Sequence, residues 1–138
     1  MTAVDVGREQ LHSSLRELPD VLSMEGMDIR DLTLAQLGEA PDLVTIDVSF
    51  ISLKLVLSTV TALAAPKAHL VALIKPQFEA GPERVSKGVV RDPAVHEAIC
   101  DDIRASVHSL GWRVLGMIPS PITGGGGNRE FLLGAARG

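Results

Sequence analysis

Lys75 closes the apolar run "LVALI" and stands directly before Pro76. A continuous apolar run of this length, bounded by turn residues, reads as a parallel strand covered on both faces, and open α/β sheets bind ligands at the carboxyl ends of such strands. An ammonium placed there can stabilise an oxygen on which negative charge develops, and an uncharged lysine can accept a proton. Two carboxylates flank the same pattern: Asp47 follows the preceding apolar run "LVTI", and Glu130 starts the last one, "EFLLGA". Each charge also has a plainer reading. Lys75 is otherwise a solvated strand-end cation. Asp47 is otherwise a cap for the next helix, in competition with Ser49 and Ser52, and Glu130 an exposed charge at the start of a strand.

Other chemistries find less support. His12, His69, His96 and His108 are scattered without metal-ligand spacing, so no metal is expected. Serines are plentiful, but no G-x-S-x-G elbow appears. The glycine cluster Gly124 to Gly127 has no strand-then-helix context and is not a dinucleotide fingerprint. Cys100 is the single cysteine, which excludes an internal disulfide and a thiolate metal cluster; it falls in a helical pattern and reads as a small buried hydrophobe.

The elements that must position these residues alternate. Thr2 to Val6 reads as a strand running into Gly7, and Arg8 to Leu18 as a helix with Leu11, Leu15 and Leu18 on one face, stopped by Pro19. Val21 to Met24 is a short strand and Leu32 to Leu37 a short helix. "DLVTIDVS" (42–49) is a strand, followed by a helix over "SLKLVLSTVTALAAP" whose Leu53, Val56, Leu57, Val60 and Leu63 make one face. After the strand Leu70 to Ile74, Asp92 caps a helix with Pro93 in its first turn and Val95, Ile99, Ile103, Val107 and Leu110 inward. "WRVLGMI" and "EFLLGA" are the last strands. This order implies an α/β fold, a mostly parallel sheet with helices on both faces and a closing strand pair that need not be parallel.

The 138 residues fit one domain with a single core, and 46% hydrophobic content describes a packed chain. A formal net charge of −4 argues against holding a nucleic-acid backbone by charge alone. No run approaches the roughly 18 apolar residues of a membrane helix, and the start "MTAVDVGREQ" has no basic region followed by an apolar one, so the expectation is cytoplasmic. The chain offers no Gly-rich turn before Asp5, where doubly wound cofactor-binding sheets place their loop after the first strand, so a strand and its loop are expected to be missing.

Six blocks in order, "VDVGREQLHSSLR", "DIRDL", "DLVTIDVSFISL", "LIKPQFEAG", "KGVVRDPAVHEAI" and "SPITGGGGNREFL", resemble the TlyA family over nearly the whole chain. These are FtsJ-like, S-adenosylmethionine-dependent ribosomal RNA 2′-O-methyltransferases, often labelled hemolysins. The resemblance implies a Rossmann-like methyltransferase sheet, mostly parallel with an antiparallel last strand. It also implies that residues 1–138 are the later part of the methyltransferase domain, without the family's S4 RNA-binding domain, first catalytic lysine, first strand and cofactor loop. In that sheet the missing strand lies at the centre, so rearranged pairing, partner swapping or marginal stability is expected.

By motif match, Asp47, Lys75 and Glu130 supply three members of the family's Lys-Asp-Lys-Glu catalytic set, with Lys75 directed at the 2′-hydroxyl and the carboxylates orienting the lysines. The resemblance assigns Asp5 to the ribose hydroxyls of S-adenosylmethionine, Asp28 to its adenine amino group, and Asp47 also to the cofactor side. Asp28 reads equally as an exposed turn aspartate. Phe50, in "DVSF", is expected near the methionine part of the cofactor or the target base, or in the core. The loop with Arg84, Lys87 and Arg91 is a phosphate-contacting lid or a solvated loop. The implied activity is methyl transfer to a ribose 2′-hydroxyl of ribosomal RNA; the alternatives are a non-catalytic RNA- or partner-binding fragment and, with little support, membrane lysis.

Overall fold

The structure is a computed structural model that describes residues 1–138. The chain divides into two compact units, Met1–Ala40 and Pro41–Gly138. Its six strands form two sheets, one of two strands and one of four.

In the first unit, β1 (Thr2–Asp5) pairs in parallel with β2 (Leu22–Glu25), from Thr2↔Leu22 to Asp5↔Glu25. The connection carries a single helical turn, α1 (Ser13–Arg16), where the leucine spacing predicts a helix from Arg8 to Leu18. Glu9 takes a left-handed backbone at φ 56°, which interrupts the expected first turn. No residue of α1 is buried, and a short helix without a packed apolar face does not hold its length in water. A 3-10 turn over Ile29–Asp31 follows β2. Then comes α2 (Leu34–Leu37), opened by a capping box in which Thr33 Oγ1 accepts the Gln36 N–H and the Gln36 side chain accepts the Thr33 N–H. Leu32 is the unit's one buried hydrophobic residue.

The second unit contains β3 (Leu43–Ile46), α3 (Leu53–Leu63), β4 (Ala68–Ile74), α4 (Pro93–Ser109), β5 (Arg113–Pro119) and β6 (Phe131–Arg137). Its sheet has the order β3-β4-β6-β5, with β3 and β4 parallel and β6 antiparallel to both neighbours. The last strand is thus the antiparallel one, as expected, and it lies inside the sheet. Asp92 caps α4 through the Ala94 N–H, with Pro93 at the first helical position.

Burial along β4 alternates: Ala68, Leu70, Ala72 and Ile74 are buried, while His69 and Val71 are exposed. The expectation of a strand covered on both faces therefore fails. The buried β4 residues join Leu133 and Ala135 of β6 and the inner faces of α3 and α4, including Leu53, Leu57, Val60, Ile103 and Val107. Leu43, Val71 and Ile118 stand on the other sheet face and remain exposed. Since α3 and α4 both serve one face, an unbroken apolar sequence is covered on one side only. Trp112 anchors the far end of this core through Nε1–H to Thr61 Oγ1 at 2.8 Å. No helix is long and apolar enough to cross a membrane.

Candidate active site

The parallel register of β3 and β4 carries Asp47 and Lys75 out of the sheet at the same edge, one residue past each strand. Lys75 Nζ lies 2.7 Å from Asp47 Oδ1 and donates to Ser49 Oγ at 3.1 Å. The lysine side chain is only 15% exposed and the aspartate 71%. This disposes of the solvated-cation reading: the ammonium is enclosed and paired, while its carboxylate partner faces outward. Nor does Asp47 cap α3, because Ser52 Oγ accepts the Lys54 N–H there.

Glu130 arrives from the antiparallel neighbour. The register ends at Ile74↔Phe131, so Lys75 and Glu130 leave the sheet side by side. Glu130 is buried, against the reading of an exposed strand-start charge. Its carboxylate makes no ion pair with Lys75; Oε2 accepts from Gln77 Nε2 at 2.8 Å. A Cβ on Gly124 would meet that carboxylate oxygen, so a larger residue there would have to displace the Glu130 carboxylate from Gln77. The structure thus brings Asp47 and Lys75 into contact and sets Glu130 beside them through Gln77.

Several groups that the sequence reading did not single out hold this edge together. Gln77 sits in the 3-10 turn Pro76–Phe78, and its Oε1 is buried without a hydrogen-bond partner. Glu79 ends the same turn and accepts from Ser52 Oγ at 2.7 Å and from the Leu53 N–H at 2.6 Å. Asn128 is buried, accepts the Val90 N–H at 3.0 Å and donates to Gly88 O and Gly125 O at 2.9 and 2.8 Å. It pins the Gly88–Val90 segment to the glycine turn Gly125–Gly127. His96 meets Val90 O through Nε2 at 2.8 Å. The signal for Gln77 and Glu79 was present in "KPQFE", a dense polar cluster directly behind a strand end.

Phe50 is 91% exposed, has a left-handed backbone at φ 63°, and its ring centroid lies 4.9 Å from that of Phe78. The core reading for Phe50 fails. Arg84, Lys87 and Arg91 are exposed and form no ion pair.

In the first unit, Asp5 and Asp28 lie at the carboxyl end of the β1–β2 pair, where the Met27 N–H returns to Asp5 O. Asp5 Oδ1 accepts the Gly7 N–H at 2.8 Å. Asp28 caps the 3-10 turn and is gripped by Arg30, whose Nη2 is 2.6 Å from Oδ2. Hydrogen bonding from the Arg30 side chain, then from its backbone N–H, lowers the Asp28 carboxyl to a pKa of about 2. No three His, Cys, Asp or Glu side chains converge where a metal ion could sit.

A mostly parallel α/β sheet with one antiparallel strand, and charged side chains gathered at its carboxyl edge, defines the Rossmann-like class to which many group-transfer enzymes belong. The chain belongs to the FtsJ-like methyltransferase family, whose model matches residues 1–137. YqxC of Bacillus subtilis is 47% identical over 95% of this chain and 47% of its own length. The 16S/23S rRNA (cytidine-2′-O)-methyltransferase TlyA of Mycobacterium tuberculosis is 40% identical over 96% of this chain and 50% of its own length. A solved structure from Lactococcus lactis superposes with a TM-score of 0.95 at 40% identity, covering 99% of this chain and 66% of its own. The chain spans about half the length of the curated relatives it matches.

Proposed function

We propose that residues 1–138 are part of one FtsJ-like domain that transfers a methyl group from S-adenosylmethionine to a ribose 2′-hydroxyl of ribosomal RNA, working in the cytoplasm. The observation that carries this reading is the enclosed Lys75 ammonium, held by Asp47 and Ser49 at a parallel strand edge in a chain of this family.

In this reading Asp5 holds the ribose hydroxyls of the cofactor; Oδ1 is taken by the Gly7 N–H, and Oδ2 has no partner. Asp28 faces the adenine amino group, in competition with Arg30, and Asp47 also serves the cofactor side. The cofactor supplies an electrophilic methyl on a sulfonium. Lys75 donates to the 2′-oxygen and stabilises the charge that grows there as its proton leaves to solvent. The bound cofactor would give up its methyl carbon to the 2′-oxygen, the C–S bonding pair staying with sulfur. Asp47 fixes the ammonium's direction, and Glu130, oriented by Gln77, balances the charge. Exposed Phe50 offers a ring to the target base.

The test incubates the chain with methyl-labelled S-adenosylmethionine and ribosomal RNA, and titrates S-adenosylmethionine calorimetrically into the chain and an Asp5→Ala variant. Label on ribose 2′-oxygens and weakened binding by Asp5→Ala are expected. A folded chain in which Asp5→Ala leaves cofactor binding unchanged, or label found on base atoms and not on ribose oxygens, would sink the reading.

A further inference from the structure

The turn after β4 sends neighbouring side chains to different partners. Lys75 reaches Asp47 and Ser49, Gln77 reaches Glu130, Phe78 meets the Phe50 ring, and Glu79 takes Ser52 Oγ and the Leu53 N–H. We propose that Glu79 is a positioning residue that clamps the Ser49–Leu53 segment onto this turn and so holds Phe50 outward beside Lys75. The inference rests on reading the Asp47–Lys75 edge as the place of methyl transfer.

Phe50 occupies a backbone region that bulky residues avoid, at φ 63° with its side chain 91% exposed. Such strain persists only where the surroundings over-determine it. Burial supplies nothing at this position. What remains is attachment on both sides: Lys75 holds Ser49 before the phenylalanine, and Glu79 holds Ser52 and Leu53 after it. Phe78 lies between Lys75 and Glu79 in the chain, and its ring packs against Phe50. Glu79 is not merely a helix cap. The Lys54 N–H at the start of α3 is already met by Ser52 Oγ, and Glu79 reaches this point from another strand's turn, 27 residues away along the chain. Both carboxylate oxygens accept, one from each donor, so an amide at this position keeps the Leu53 N–H through its oxygen and holds Ser52 only if that hydroxyl turns to accept.

The sequence has three phenylalanines, so uniform 4-fluorophenylalanine labelling gives three fluorine resonances: Phe50, Phe78 and, as a control in β6, Phe131. Glu79→Ala is expected to move the Phe50 and Phe78 resonances and leave Phe131 in place, with Glu79→Gln intermediate. Affinity for a short single-stranded RNA, read by fluorescence anisotropy, is expected to fall several-fold in Glu79→Ala, as far as in Phe50→Ala, with the double variant no weaker. An unmoved Phe50 resonance, or all three resonances moving together in both Glu79 variants, overturns the clamp. Equal RNA affinity in Phe50→Ala and the parent overturns the RNA reading of this edge, and the fluorine shifts still decide the clamp.

Discussion

Lys75 is enclosed by its strand and two neighbours, so its replacement removes a placed charge and not a surface cation. Lys75→Met is expected to lower methyl transfer by about 10²-fold or more, the usual consequence of deleting one group that stabilises a developing oxyanion. Lys75→Arg should not restore it, because a planar guanidinium cannot meet Asp47 and Ser49 as a point donor does. Initial rates with labelled cofactor check both. Asp28 makes a separate prediction. Its carboxyl titrates at about 2 rather than 3.8 because Arg30 hydrogen-bonds it, so the Arg30 contact is fully present above about pH 3.8 and is lost as pH falls through about 2. Carboxyl NMR should show that midpoint and its return toward 3.8 in Arg30→Ala. Since the pair lies at the surface, with the Arg30 side chain about half exposed and that of Asp28 about a third, acid stability should hardly change between the two proteins.

At the scale of elements, the Asp47–Lys75 edge is assembled by connections between turns. Asn128 satisfies one backbone N–H and two carbonyls from two loops. Asn128→Ala strands the buried Val90 N–H, which costs roughly 1–3 kcal/mol. Urea unfolding should show this loss, and limited proteolysis should cut first between Arg84 and Arg91. Asp92→Ala removes the α4 cap and should cost about 1 kcal/mol without opening that loop. The salt bridge Lys54–Asp102 links α3 to α4 at 2.6 Å, and the hydrogen bond to Asp102 raises the lysine pKa; with both side chains about half exposed it is a minor contributor.

At the scale of the molecule, the two units differ in what they bury. Met1–Ala40 contributes Leu32 alone to the buried hydrophobic set, whereas Pro41–Gly138 holds a core from Ile46 to Ala136. A short segment with so little buried apolar surface opens at low free-energy cost. Amide exchange should therefore be fast in β1 and β2 and slow in β4, β6 and α4. Equal protection across both units, measured by mass spectrometry, would contradict this account.

Most of the second unit was legible in the sequence because each element there carries its own local signal. Asp92-Pro93 opens α4, and the spacing of Leu53, Val56, Leu57 and Val60 faces α3 inward. The Arg8–Leu18 helix was misread because leucine spacing proposes a face but cannot supply something for it to pack against. The sequence by itself determined that Lys75, Asp47 and Glu130 stand at strand ends, since apolar runs end where charge begins. Only the tertiary structure decided that Lys75 pairs with Asp47, that Glu130 is buried against Gln77, and that Phe50 is held outward. Those outcomes depend on strand register and on turns meeting across tens of residues, which no local pattern encodes.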